Sequence, residues 1–406
     1  MQRNLLSVGH IFLLGTALLA MAGCSDLQNS PWQASKQKAP PATAPSVQPP
    51  ATIGNVPPQA VTINPNAMPA AVPHVAKIAL LLPLSGKGGE TGQAMLNAAQ
   101  LAMFDLNASS VFELRPEDTG KGATQAMNNA IASGANLVLG PVFSTDTKAV
   151  SPIALQNNVN IVSFSTDTSA AVGNTFLMGF MPQAQVNSVL TYANAAGRKR
   201  IALIAPRDVY GDSVASTYYM FMQRYALDSA GIIRYDAGKL PAQADLAGLK
   251  AGVDAVLIAA SAIDSHKISN LMTSAGYPDV TVKRLGTGLW DQPDAPKMTG
   301  LQGAWYAASS PRLRNRFEHR YFETYGTQPP RLASLAYDAT ALAVVLAKSG
   351  QGFGRNTLTS PNGFAGIDGI FRFTSDGIAD RGLAILEIKN GASSILVDAP
   401  QRFGER

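Results

Sequence analysis

The chain has 406 residues, of which 46% are hydrophobic, 15% charged and 7% aromatic. That length and polarity exclude a small disulfide scaffold and a wholly disordered protein, and leave room for a sizeable core. Lys plus Arg number 32 against 27 Asp plus Glu, a scattered formal charge of +5 that lacks the concentrated basic footprint of a nucleic-acid binder. The one cysteine, Cys24, cannot staple a fold, so it is read through targeting chemistry.

Residues 1–23 have the parts of a signal peptide: Arg3, then an apolar stretch too short to span a membrane stably, densest from Ile11 onward, and small residues at its end. Ala22-Gly23-Cys24 resembles the bacterial lipobox, with Met21 where Leu is commoner. That resemblance implies lipidation of Cys24 and an acyl anchor in a membrane. Ser25, rather than Asp, follows the cysteine, so the resemblance places the anchor on the periplasmic face of the outer membrane ahead of the inner membrane. Residues 24–76 then read as the lipidated Cys and a linker, with eleven prolines among Ala, Gln, Ser and Thr and no sustained apolar period. A coil of this length spans roughly 40 Å root-mean-square, and a polyproline-like one up to about 160 Å.

From Lys77 the texture changes. Lys77–Pro83 is a near-continuous apolar run, the pattern of a strand buried on both faces, and a helix is predicted over 89–107 from Met95, Ala98, Ala99, Ala102 and Met103. Further strands are predicted at 111–116, 136–140, 160–164, 200–205, 231–236, 255–259 and 283–286. Helices alternate with them at 122–133, 145–157, 183–196, 211–230, 244–251 and 262–275, and two more follow at 313–325 and 334–348. Such alternation means parallel sheets covered by helices, and about 330 residues call for two lobes. A break is expected near 173–182. The stretch 369–398 reads as short antiparallel strands joined by turn dipeptides, with 399–406 a tail.

Motifs for catalysis, metals and cofactors are missing. His10, His74, His266 and His319 share no metal-ligand spacing. The glycine-rich turn 85–92 fails the dinucleotide spacing at Thr91, and Lys87 and Lys121 are each followed by Gly rather than Ser or Thr. A nucleophile elbow is absent. The expectation is a non-enzymatic protein without a cofactor. What the chain does offer is polar loops at predicted strand ends: Ser85-Gly86, then 140–147 with Ser144 and Thr145, then 163–168 with Ser165, Thr166 and Asp167. Hydroxyls and helix-opening amides there suit an anionic group such as a carboxylate, although the same residue types are ordinary helix caps.

KIALLLPLSG, NLVLGPVFSTDT, NIVSFSTD, IALIAPRDVYGDSVA and ASLAYDATALAVVLAKSG together resemble the type 1 periplasmic binding fold of the leucine-binding class, over 77–398. The resemblance implies an α/β, two-lobed architecture with a parallel doubly wound sheet in each lobe and three interlobe crossovers. Lobe one is placed at about 77–180 and 310–365, and lobe two at about 181–309 and 366–398. It also implies that Ser144, Thr145, Ser165, Thr166 and Asp167 hold a ligand carboxylate, with Tyr210 covering it from the other lobe. The ammonium contact falls at Gly288, where the class has an acid, leaving Asp291 or Asp167 as substitutes; Trp290 stacks on the ligand or packs in the core. FLMGFMPQAQV, GTGLWD and the stretch from AWYAASSP to YGTQPPRLASLAYDA further resemble the lipoproteins grouped as penicillin-binding protein activators.

Two functions follow as expectations. In one, the protein is an envelope regulator whose partner is a penicillin-binding protein. In the other, it is an amino-acid receptor docking on an ABC permease. Neither involves nucleic acid.

Overall fold

The computed structural model describes residues 75–404, all within one unit of the chain. The signal peptide, Cys24, most of the linker and His10 and His74 lie outside the described residues.

The first sheet grows from β1 (Ala76–Leu82), whose side chains alternate between two buried faces. It continues through β2 (Phe112–Asp118), β3 (Leu137–Leu139), β4 (Asn160–Ser163) and β5 (Thr175–Leu177), all parallel, in the order β2-β1-β3-β4-β5. On one face Ala79, Leu81, Val138 and Ile161 meet Met127, Ala130 and Val150 of α2 (Ala123–Ala132) and α3 (Ser144–Gln156). The other face is covered by α1 (Gly89–Asp105) and by α8 (Ala333–Ser349), a helix buried along most of its length.

The second sheet contains β6 (Ile201–Pro206), β7 (Ile232–Tyr235), β8 (Ala255–Ile258), β9 (Lys283–Gly286), β10 (Trp305–Ala308), β14 (Ala384–Lys389) and β15 (Ala392–Val397). Their order is β15-β14-β10-β9-β8-β6-β7, with only β14 running antiparallel to its neighbours β10 and β15. Odd-numbered Ile201, Leu203 and Ala205 pack on Val189, Val214 and Tyr218 from α4 (Pro182–Ala195) and α5 (Val209–Arg224). Even-numbered Ala202 and Ile204 face Ile268 and Met272 of α6 (Ala262–Ser274). Burying both faces is what makes these strands near-continuous apolar runs.

The remaining elements are α7 (Pro311–Tyr325), the single turn α9 (Arg355–Leu358) and an antiparallel sheet of β11 (Phe364–Gly366), β12 (Gly369–Phe373) and β13 (Ala379–Arg381). The chain crosses between lobes three times: from β5 to α4, from β10 through Ser309 and Ser310 to α7, and from β13 through Gly382 to β14. The third crossing differs from the expected one near 365. Ile378 bridges to Leu177 and the Phe373 ring lies 5.3 Å from Phe176, so 366–381 stays with lobe one.

Three local expectations also change. The helix expected to reach 230 ends at Arg224, because Ala226 turns left-handed (φ 49°) and the Tyr218 hydroxyl draws Ser229 toward the Ile201 carbonyl. The helix expected at 244–251 is a 3-10 segment, Gln243–Gly248. Strand β10 is not among the expected strands, yet it lies inside the sheet between β9 and β14. Among the described residues no helix is long and apolar enough to cross a membrane.

Candidate functional site

Parallel strands deliver their following loops to one edge of each sheet, and the two edges face one another across a cleft with a cavity volume of about 690 Å³. On the lobe-one side, β3 leads through Val142 and Phe143 into α3, whose first residue is Ser144. The opening amides of a helix have no carbonyl four residues back, so this end presents donors and partial positive charge to the cleft. Behind it, the Thr147 hydroxyl is bonded to Ser163 at 2.8 Å, and that of Ser151 to Thr175 at 2.8 Å, fixing α3 on the sheet.

The loop after β4 is built the same way. The Ser165 amide donates to the Ser163 hydroxyl and the Asp167 amide to the Ser165 hydroxyl, both at 3.1 Å. Asp167 lines the cleft, but its carboxylate takes Lys148 at 2.6 Å and both the amide and hydroxyl of Ser169. Lys148 and Ser169 together hold that carboxyl below the usual range.

Lobe two contributes Gln183 at the start of α4 and a face of α5 that carries Tyr210, Ser213, Ser216 and Thr217. Asp208 caps α5 by accepting the Gly211 amide at 2.7 Å. Gln183 Oε1 and Ser213 Oγ are buried without a hydrogen-bond partner among the described residues. Such atoms carry a desolvation penalty that a ligand or water in the cleft relieves. The Tyr210 hydroxyl is bonded to Thr287 of its own lobe at 2.7 Å, and burial pushes its pKa up, so the ring borders the cleft while the oxygen is engaged.

Of the residues singled out in the sequence, the fold thus gathers Ser144, Ser165, Thr166, Asp167 and Tyr210 around one cleft. The other four go elsewhere. Thr145 is exposed beside Ser144 and does not line the cavity. Ser85 turns away to Asp118: its hydroxyl donates at 2.7 Å and its amide at 3.1 Å, an arrangement that shapes the loop after β1. Trp290 is a core residue with 0% exposure, its indole donating to the Ser265 hydroxyl at 2.9 Å and its ring near Tyr306, so it stacks on no ligand.

Asp291 is the clearest correction. It is clamped by Arg314 in a two-pronged pair and by Arg331 at 3.0 Å. Asp291 follows β9 in lobe two, whereas Arg314 on α7 and Arg331 ahead of α8 belong to lobe one, so the cluster pins the lobes together at the crossovers. Arg331 also reaches Asp368 at 2.8 Å and lies 4.0 Å above the Phe180 ring. Arg381, at the third crossing, stands 3.7 Å from Asp338. Burial and the neighbouring Asp368 push Asp338 up to about 7. Burial also opposes ionisation of Asp368, yet Arg331 and Arg381 hold it below the usual range. Gly288 is closed as well: its amide donates to Gln185 Oε1 at 2.8 Å, and a Cβ there would stand 3.1 Å from the Gln185 amide nitrogen.

Sequence reasoning missed a second chamber of about 410 Å³ in lobe two, bordered by Asp208, Tyr235, Lys239, Asp264 and Lys267. Asp208 and Ser261 follow strand ends, but each reads as an ordinary helix cap. No group of three residues placed to hold a metal ion occurs among the described residues.

Known proteins share this architecture. The Periplasmic binding protein family matches residues 75–393. A leucine-binding protein LivK from Thermotoga maritima is 21% identical, covers 80% of this chain and 99% of its own, and superposes with a TM-score of 0.59. LivJ from Streptococcus pneumoniae, solved with isoleucine, is 21% identical with a TM-score of 0.61, covering 80% and 100%. The C-domain of LpoA from Haemophilus influenzae, a regulator of PBP1A, is 17% identical with a TM-score of 0.61, covering 79% and 100%. An uncharacterised Rickettsia prowazekii protein is 21% identical over 140 residues, so the chain spans 38% of the length of that curated relative and matches it over 34% of its own. Two lobes, three crossovers, a facing cleft and a family match over most of the chain lead to one conclusion: this chain belongs to the periplasmic binding protein family, with the two-lobed fold of its leucine-binding class.

Proposed function

We propose that the protein is a non-enzymatic envelope lipoprotein, anchored through Cys24 on the periplasmic face of the outer membrane, that regulates peptidoglycan synthesis by acting on a penicillin-binding protein. One observation carries the reading: every group expected to receive an α-ammonium in the interlobe cleft is closed or engaged. Gly288 meets Gln185, Asp291 is held by two arginines, and Asp167 is held by Lys148. An ammonium brought there without a carboxylate loses a charge-assisted partner, at a cost of order a few kcal/mol. The likeness of the LpoA C-domain and the proline-rich reach of residues 24–76 support the same reading.

A second reading, the amino-acid receptor of an ABC transporter, is favoured by the amino end of α3 and the Ser165 loop facing the cleft, a carboxylate-sized set of donors. The two separate experimentally. Affinity capture of the full lipidated chain from solubilised envelopes is expected to retain a penicillin-binding protein, and calorimetry with leucine, isoleucine and valine to show no micromolar binding. Micromolar binding of a branched-chain amino acid that Ser144→Ala abolishes, with no synthase captured, overturns the regulator in favour of the receptor.

A further inference from the structure

A further chamber, of about 590 Å³, lies on the side of lobe one away from the cleft. Its wall is made at the amino ends of the parallel strands, whereas the cleft draws on their carboxyl ends: Ala76 opens β1, Asn136 precedes β3, Asn160 opens β4 and Asn174 precedes β5. The closing turn of α8, at Leu346 and Ala347, forms another side. The volume falls within the range of about 300–1,000 Å³ usual for small-molecule sites.

Asn158 joins the other three asparagines there. Two of the four spend part of their carboxamide on the fold: Asn136 Oδ1 accepts the Lys77 amide at 2.9 Å, and Asn160 Nδ2 donates to the Phe353 carbonyl at 2.6 Å. The Asn136 N–H donors and Asn160 Oδ1 remain, and the side chains of Asn158 and Asn174 form no hydrogen bond among the described residues. A carboxamide offers two donors and two acceptor lone pairs, so the wall presents both roles side by side, and the unpaired carbonyls at the end of α8 add acceptors. A left-handed turn accounts for Asn158 (φ 53°), and the bonds to Lys77 and Phe353 account for Asn136 and Asn160. No such contact accounts for Asn174 or for four carboxamides in one chamber.

The chamber holds little charge. No carboxylate lines it, and its single ionisable group, Arg355, donates to the carbonyls of Gly173 and Ser375 with its guanidinium 4.9 Å from the Phe176 ring centre. A cationic guest finds no counter-charge there. An anionic one meets the partial negative end of α8 and an arginine already engaged. Neutral hydroxyl groups, which donate and accept, match the carboxamides in both senses.

We propose that this chamber binds a neutral saccharide, its hydroxyls bonded to Asn136, Asn158, Asn160 and Asn174 and its apolar ring face against Val75 and Ala347. A free sugar and the glycan strand of a cell wall share this chemistry. Lobe one alone supplies the contacts, at the edge of its sheet opposite the cleft, so the site fills without lobe closure and stands independently of the partner proposed above.

Calorimetry on the full chain, held in a detergent without a sugar head, tests this with cellotriose and triacetylchitotriose as neutral probes. Beside them stand the glucosamine trimer, cationic in mildly acidic buffer, and the anionic galacturonate trimer. Saturable binding of a neutral probe is expected with a Kd below about 1 mM, and each charged trimer is expected to bind about tenfold more weakly or worse. Asn174→Ala and Asn158→Gly, the second of which keeps the left-handed turn, are each expected to weaken binding about fivefold while keeping the melting curve of the parent. Co-sedimentation with purified peptidoglycan sacculi separates the two sources. Retention that excess neutral trimer displaces assigns the wall glycan, and trimer binding without retention assigns a free sugar. No saturable binding of either neutral probe up to about 10 mM overturns the site, as does equal binding of the charged trimers. Parent-like binding by both asparagine variants also overturns it, because the guest then lies elsewhere. Synthase capture is a separate readout, so either proposal fails without the other.

Discussion

Replacing Asp291 with Ala removes the carboxylate that joins the lobes at the crossovers. Its side chain is 8% exposed, and Arg314 and Arg331 beside it are 10% and 14% exposed, so the variant leaves two guanidinium groups in a low-dielectric site with less counter-charge. Breaking a buried ion pair from one side costs about 3–5 kcal/mol. Both arginines keep a second partner, Glu318 at 3.1 Å and Asp368 at 2.8 Å, which places the expected loss at the lower end, about 3 kcal/mol. Urea unfolding followed by the fluorescence of neighbouring Trp290 reads it directly. With a slope of about 3 kcal/mol/M, the midpoint moves down by about 1 M. Arg314→Met, which removes a cation and leaves Asp291 with Arg331, is expected to lose less. A midpoint shift of Asp291→Ala corresponding to under about 1 kcal/mol refutes the argument, since the cluster would then be as weakly coupled as an exposed pair.

Other outcomes follow from single contacts. Ser85→Ala deletes the bond to Asp118 and is expected to cost about 1 kcal/mol in chemical denaturation; an unchanged midpoint refutes the structural role assigned to Ser85. Arg284 is 1% exposed, donates to the Ser269 hydroxyl and to the Val282 and Tyr277 carbonyls, and has no ion-paired carboxylate among the described residues. Arg284→Ala orphans those carbonyls and is expected to cost about 3 kcal/mol by the same assay. Asp338 carries the pH signature. Its folded pKa of about 7 lies above the ordinary 3.8, so between those values the folded state holds a proton that the unfolded chain releases. Its contribution therefore falls as pH rises from about 4 and is gone above about 7. The stability of the parent minus that of Asp338→Asn is expected to decline across that window, and a rising difference refutes the assignment.

The architecture was legible because its cause is local. Strands buried on both faces must read as apolar runs such as Lys77–Pro83, and the helices between them carry apolar stripes like Met95, Ala98, Ala99 and Ala102. The edge of the sheet that faces the cleft follows from parallel topology, so Ser144, Ser165, Thr166 and Asp167 could be placed at strand ends from the pattern, while Tyr210 was named only through the family resemblance. The third crossing was not legible, since the pairing of Ile378 with Leu177 depends on distant neighbours; strand β10 was not expected either, although β8 and β9, equally short, were.

The chemical assignments divide along the same line. A residue type states what a side chain is able to bond, and proximity decides what it does bond. Asp291, Trp290 and Ser85 all have ligand-binding chemistry, and each is taken by a partner tens of residues away or more: Arg314 and Arg331, Ser265, and Asp118. Tyr235 shows the converse, an ordinary strand residue by pattern that comes to line one chamber with Asp208 and Asp264, which follow other strands. Periodicity in the chain is therefore enough to specify layers and edges, because those depend on burial. Which polar groups remain free at an edge depends on charges and donors brought together across the fold, and that is settled only when the chain has closed on itself.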